Sequence, residues 1–224
     1  MRIAVIIPAL NEAQSLPAVL KDLSSEFEIV VVDNGSTDAT AEVARNHGVT
    51  VISEPKQGYG TAVLAGMSYL APNPPDVVCI LDADHADDPT RLTALTAPIL
   101  EGRADLVQSD RTLTADPHAL TAVQRFGNAL ATELIYLTTG KRYQDMGPFR
   151  AIRWSSLMKL KMEDPTWGWN VEMQMKAVHH ELRILEIPLP YRKRRAGRSK
   201  ISGSLRGSAR AGIRILLAVN TYRK

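Results

Sequence analysis

Short apolar runs, separated by polar breaks rich in glycine and aspartate, set the rhythm of the first half of the chain. Residues 2–8 (RIAVIIP), 28–32 (EIVVV), 49–53 and 76–81 (DVVCIL) are apolar almost throughout, which predicts strands buried on both faces. Between them, residues 11–23 place Leu16, Val19, Leu20 and Leu23 at helical spacing. Residues 37–47 predict a helix closed by Gly48, and residues 61–70 a helix behind a loop that holds Gly58 and Gly60. This alternation predicts an α/β fold: a mostly parallel central sheet flanked by helices. Ligands in such sheets bind beyond the carboxyl ends of the strands. The polar clusters Asn11-Glu12, Asp33–Ser36 and Asp82–Asp88 all fall there.

The second half is less regular. Strands are expected at residues 104–108, 150–152 and 183–187, with a long helix at 120–137 and another at 171–180. No internal repeat or low-complexity linker interrupts the 224 residues, so one domain over residues 1–200 with a basic helical appendage at 201–224 is the economical organisation. A content of 45% apolar and 23% charged residues excludes a disordered tail or a disulfide scaffold. The single cysteine, Cys79, lies in an apolar strand and is expected to be a small buried hydrophobe.

Charge is divided unevenly. Residues 187–224 hold 11 of the 27 Lys and Arg residues and none of the 24 acidic ones. A basic tail behind an acidic body suggests an anionic partner. Arg206, Arg210 and Arg214 recur every four residues beside Leu205, Ile213, Leu216 and Leu217. If helical, residues 204–222 form a basic amphipathic face suited to peripheral contact with an anionic membrane. No run reaches the ~18 apolar residues of a membrane span, and the start lacks a leader pattern. The expectation is a cytoplasmic protein with this tail against the inner face of the membrane.

The sharpest chemical signal is Asp82-Ala83-Asp84 at a strand end, where two carboxylates can turn to one hard cation, Mg2+ or Mn2+. Asp87 and Asp88 follow in the same loop, and Asp88-Pro89 reads as a helix cap. Asp33 is placed to contact a nucleoside, with Ser36 to Asp38 opening the next helix. Gly58 and Gly60 precede a helix whose backbone N–H groups could meet phosphate, a weak signal without a full phosphate-loop motif. Trp167 and Trp169 fit either a sugar or lipid contact beside Glu172, the reading preferred here, or the core, and His179 and His180 are expected at the surface.

Taken in order, IIPALNE (6–12), VVDNGSTDAT (31–40), KQGYGTAVLAGM (56–67), LDADHADDP (81–89), DMGPFRAI (145–152), WGWNVEMQMKA (167–177) and RRAGRSK (194–200) resemble the GT-A fold of family 2 glycosyltransferases. The closest resemblance is to the branch of dolichol-phosphate mannosyltransferases and polyprenyl-phosphate glycosyltransferases. It implies a nucleotide-sugar donor, a UDP- or GDP-sugar, moved with inversion to a polyprenyl or other lipid phosphate. Pro8, Asn11, Glu12 and Asp33 would hold the nucleoside, with Lys56 and Gly60 nearby. Asp82 and Asp84 would bind the metal on the diphosphate, Arg194, Ser199 and Lys200 would close over the phosphates, and Arg111 and Arg125 would receive the acceptor phosphate. The chain departs from the branch at Ala86, where a glutamine metal ligand is usual, at Asn34, where aspartate is commoner, and at Gly147-Pro148.

A phosphate acceptor needs no general base, whereas a hydroxyl acceptor does, and Asp145 is the candidate for that role. Other classes fit less well. A sugar-1-phosphate nucleotidyltransferase should have a glycine-rich loop where PALNEAQSL stands. A nucleic-acid module leaves the acidic loop unexplained, so no nucleic-acid partner is expected. A nucleotide-sugar-binding protein without turnover remains open, because Ala86 thins the metal site.

Overall fold

A computed structural model describes residues 1–196 and 205–223, with the backbone alone for 205–212. The predicted strands form as β1 (Ile3–Ala9), β2 (Glu28–Asp33), β3 (Thr50–Ser53), β4 (Val77–Ile80), β5 (Leu106–Asp110), β6 (Arg150–Arg153) and β7 (Ile184–Pro188). They build one seven-stranded sheet in the order β3-β2-β1-β4-β6-β5-β7. β6 alone runs antiparallel, pairing with β4 and β5, while β1 pairs parallel with β2 and β4, β2 with β3, and β5 with β7. The unbroken burial of Val77–Ile80 explains why the pattern is apolar rather than alternating.

The helices are α1 (Leu16–Asp22), α2 (Thr40–Asn46), α3 (Tyr59–Leu70), α4 (Leu92–Leu100), α5 (Ala122–Thr139), α6 (Trp154–Leu160), α7 (Trp169–His179) and α8 (Leu205–Tyr222). They cover both faces of the sheet with two apolar cores. One is centred on Val5, Ile7, Leu95 and Phe149, the other on Ile6, Ile80, Met67 and Trp169. Helix α1 begins later than its apolar spacing suggests, because Asn11 takes a left-handed φ of 51° and turns the chain before Leu16. Helix α6, a seven-residue piece, was not expected, since it offers no long periodic stretch. Helix α5 opens on a complete capping box between Thr121 and Gln124 and closes on Gly140 at φ 73°.

The C-terminal helix does not stand off from the body. Ala218, Val219 and Tyr222 bury against Ile135, Val171 and Met175 in a third apolar cluster, while Ile213, Leu216 and Leu217 remain exposed. Among the described residues no helix is long and apolar enough to cross a membrane. Cys79 is buried, as its strand predicts.

Candidate active site

One edge of the sheet collects nearly every singled-out residue. The carboxyl ends of β1, β2, β4, β5 and β7 point to it, delivering Asn11-Glu12, Asp33-Asn34, Asp82–Asp88, Arg111 and Tyr191–Arg195. Because β6 runs the other way, the segment leading into it, Asp145–Phe149, arrives at the same edge. The reversed strand thus places an acid from a late segment beside an arginine that follows β5.

The loops after β1 and β2, where the sequence expects a nucleoside, are tied together by side-chain bonds. Pro8 is partly exposed near the end of β1. Asn11 Oδ1 accepts from the Thr37 amide at 2.8 Å, and the Asn11 amide donates to Ser36 Oγ at 2.9 Å. Asp33 accepts from the Ser36 amide, and Asp38 accepts from the Thr40 amide just ahead of α2. Asn34 is almost fully buried: its Nδ2 donates to the carbonyls of Glu54 and Lys56, at 3.0 and 2.9 Å, and its Oδ1 accepts from the Gly58 amide at 2.8 Å. An aspartate could not make the two donations, which accounts for asparagine here.

Lys56 is exposed beside this ledge. The amides of Gly60 and Thr61 are already donated to the carbonyls of Thr166 and Pro165. The backbone N–H groups of Gly58, Gly60 and Thr61, where the sequence carries only a weak phosphate signal, are therefore engaged within the fold. Gly60 is required instead by close packing, since a Cβ there would lie 1.9 Å from the Asp164 carbonyl oxygen.

Asp82 and Asp84 leave the end of β4 together. Burial, then the neighbouring Asp84, pushes the Asp82 carboxyl up to about 7. Arg194 and Arg111 oppose that rise and Glu12 adds to it. Asp84 Oδ1 accepts from the Ala86 amide, and its Oδ2 lies 3.4 Å from Arg194 Nη1. Arg194 Nη2 donates to Glu12 Oε1 at 2.6 Å, so one guanidinium spans both acids. Among the described residues no group of three His, Cys, Asp or Glu side chains is arranged to hold a metal ion. Two like-charged carboxylates with repelling fields do fit a hard divalent cation that completes its shell with phosphate oxygens and water. Asp88 is the helix cap, accepting from Thr90, and also pairs with Arg192 at 2.7 Å. Ser199 and Lys200 lie outside the described residues.

Arg111 and Arg125 come to one cavity of about 400 Å3, which Asp145, His118, Gln124 and Asn128 also line. Arg111 donates to Asp145 in a two-point pairing, Nε to Oδ2 at 2.7 Å and Nη2 to Oδ1 at 2.8 Å. The Arg111 and Met146 amides fill the remaining acceptor positions at 2.9 and 2.8 Å. Burial by itself raises the Asp145 proton affinity, but the Arg111 bonds and charge outweigh it and hold the carboxyl below its ordinary value. The sequence offered Asp145 as a base for a hydroxyl acceptor; the fold places four donors on its oxygens. It holds Arg111 in place through the two-point pairing. Its backbone is pinned in turn: Glu186 accepts from the Gln144 and Asp145 amides, and Gln108 and Gln174 donate to the Asp145 carbonyl.

Trp169 is fully buried, edge-on to Tyr59 with ring centroids 6.3 Å apart. Glu172 is spent on the amides of Glu163 and Asp164 and on Lys176. This pair therefore belongs to the core, whereas a sugar contact was expected. Trp167 is half-buried, and His179 and His180 are exposed as expected. Two residues escaped the sequence reading. Arg150, wholly buried, donates to the carbonyls of Gly147 and Pro148, and an arginine opening an apolar strand was its only trace. Tyr191 carries the Arg111 guanidinium over its ring at 4.9 Å, with no local signal.

Residues 4–161 match the description Glycosyl transferase family 2. An uncharacterized glycosyltransferase of Mycobacterium tuberculosis is 39% identical over 206 residues, 92% of each chain. A dolichyl-phosphate hexose transferase of Haloferax volcanii is 33% identical over 212 residues, 92% of this chain and 90% of that one. In fold, the chain is similar to Mycobacterium tuberculosis glucosyl-3-phosphoglycerate synthase, solved with Mn2+, UDP-glucose and phosphoglyceric acid. The TM-score is 0.78 at 22% identity, covering 99% of this chain and 79% of that one. With the acidic strand end, the paired arginines and this sheet, the chain is a GT-A-fold glycosyltransferase and belongs to glycosyl transferase family 2.

Proposed function

We propose that the protein transfers a sugar from a nucleoside-diphosphate sugar to a lipid phosphate, with a divalent cation at Asp82 and Asp84. The observation that carries the acceptor reading is the cavity shared by Arg111 and Arg125, one fixed by Asp145 and the other exposed on α5. Two guanidinium groups facing one space suit an anion that must be oriented as well as attracted. The relative that acts on dolichyl phosphate supports the same class of acceptor. Leu113, Val123 and Phe126 are exposed on or beside the loop and helix that line this cavity. They would offer apolar footing for a polyprenyl chain and, with α8, for a membrane surface.

In the reaction, an acceptor phosphate oxygen attacks the anomeric carbon. The bond from that carbon to the diphosphate breaks, and the electron pair leaves with the nucleoside diphosphate, so configuration inverts. A phosphate acceptor is already ionised, which agrees with Asp145 having no free acceptor position. A bound Mg2+ or Mn2+ would stabilise the charge growing on the leaving diphosphate. Arg194, released from Glu12 and Asp84, would add a second positive charge there. Asn11, Asp33 and the Asn34 ledge would hold the nucleoside, with Lys56 beside it.

Thermal melting with UDP- and GDP-sugars, each with and without Mn2+, tests the donor. One nucleotide sugar should raise the melting temperature by binding only the folded state, and only with the cation present. Turnover on polyprenyl phosphate but not on the matching polyprenol tests the acceptor. Transfer to the neutral alcohol would refute it, and tight donor binding without transfer would leave a binding protein. Co-sedimentation with anionic vesicles at low salt tests the membrane contact, and no binding would refute that part.

A further inference from the structure

Three neighbours decide how the Arg111 guanidinium lies in the wall of the cavity it shares with Arg125. The group is flat and carries five N–H bonds. Asp145 takes the Nε–H and one Nη2–H in the plane, at 2.7 and 2.8 Å. Nη1 and the outer Nη2–H have no hydrogen-bond partner among the described residues. Two in-plane bonds still let the group rock about the line that joins them. The Tyr191 ring closes off that motion on one face, with 4.9 Å from the guanidinium carbon to the ring centroid, inside the ~6 Å reach of a cation–π contact. Gly147 bounds the group elsewhere, since a Cβ there would stand 3.2 Å from Arg111 Nε. Tyr191 is buried and does not itself line the cavity. Its main chain is anchored apart from the ring, by bridges to Asp87 and Ala115 and by the Asp116 amide, which donates to its carbonyl at 2.8 Å. The side chain can therefore change without untying those segments.

We propose that Tyr191 is a positioning residue of the acceptor site: its ring fixes the plane of the Arg111 guanidinium, so that the edge left over from Asp145 is presented to the acceptor phosphate. This rests on the reading of the Arg111 and Arg125 cavity given above. A ring face restrains the guanidinium without consuming any of its N–H groups, whereas a second carboxylate would close the edge that an anion needs. Asp145 and Tyr191 thus divide the task, one setting where the fork points and the other the tilt of its plane.

The test uses the full chain and farnesyl phosphate, a short polyprenyl phosphate, titrated by calorimetry, with farnesol as the neutral control and melting temperatures measured in parallel. Tyr191→Leu removes the π face and keeps an apolar side chain. Affinity for farnesyl phosphate should fall roughly 3–30-fold, the range of one cation–π contact. Tyr191→Phe keeps the face and should restore binding to within about twofold of wild type. Tyr191→Met, unbranched and without a ring, serves if the leucine variant does not fold. A residue that only packs would lower the melting temperature of Tyr191→Leu and leave its farnesyl phosphate affinity at the wild-type value, and that result overturns the proposal. Equal losses in Tyr191→Leu and Tyr191→Phe also overturn it, assigning the effect to the hydroxyl. Arg125→Ala, an exposed change in the same cavity, reads the acceptor site independently. Loss of affinity there, with wild-type affinity in Tyr191→Leu, overturns the role of Tyr191 alone. Wild-type affinity in both variants, or equal binding of farnesol, removes the acceptor reading and Tyr191 with it.

Discussion

Replacing Asp145 by asparagine separates positioning from proton transfer. The residue is 1% exposed and its oxygens accept four hydrogen bonds, three of them from Arg111. Asparagine keeps the shape but turns one acceptor into a donor facing the guanidinium, and it removes the charge that neutralises Arg111. Breaking one side of a buried ion pair costs about 3–5 kcal/mol, so urea denaturation should show a loss in that range. Arg111→Ala should cost a similar amount. The double variant should cost less than the two together by about 2–3 kcal/mol, since residues in contact are coupled. The loss should also depend on pH in one direction. Because the folded carboxyl lies below its ordinary value, the pair stabilises the fold fully above about pH 4 and loses that contribution as pH falls through the folded value. In turnover, a weakened acceptor grip of roughly 1.5–3 kcal/mol lowers kcat/KM about 10–100-fold, evenly between pH 6 and 8. Additive stabilities, or a pH–rate limb in the wild type that vanishes in Asp145→Asn, would refute the assignment and restore a general base.

Asn34→Asp removes two donations to backbone carbonyls and sets a charge against them. A loss of about 2–4 kcal/mol is expected in denaturant, and a change under about 0.5 kcal/mol would contradict the ledge described for it. Gly60→Ala forces a methyl onto the Asp164 carbonyl. The cost, about 3 kcal/mol for overpacking, should lower the melting temperature by about 6–12 °C for a chain of this length. Cation and proton compete for Asp82, whose carboxyl is pushed up to about 7. Apparent Mn2+ affinity, followed by calorimetry, should therefore drop by up to tenfold per pH unit below 7, and a flat profile from pH 5 to 8 would contradict that.

The strands were legible because a doubly covered sheet demands continuous apolar runs, and residues 77–80 satisfy that without any periodicity to decode. The location of the site was legible for a related reason: parallel strands end at one edge, so polar residues after β1, β2 and β4 must gather. What stayed hidden depends on contacts far apart in the chain. Nothing near residue 145 announces that Arg111, 34 residues earlier, saturates its carboxylate. Nothing near Gly60 announces that the loop at 164–166 takes its amide. Trp169 looked available because tryptophan serves cores and sugar sites equally well, and only its packing against Tyr59 decides between them. Asp87 was visible as one more acid in a crowded loop, while its burial without a hydrogen-bond partner among the described residues is a property of the folded surroundings alone.

Arg194 bears on how the acidic loop is neutralised. Its guanidinium lies across Glu12 and Asp84, the adjacent Arg195 amide donates to the Asp84 carbonyl, and Arg192 grips Asp88. The fold thus supplies its own counter-charge to the acidic loop. On the function proposed above, a diphosphate and its cation would have to displace this guanidinium, which would then be at hand for the phosphates.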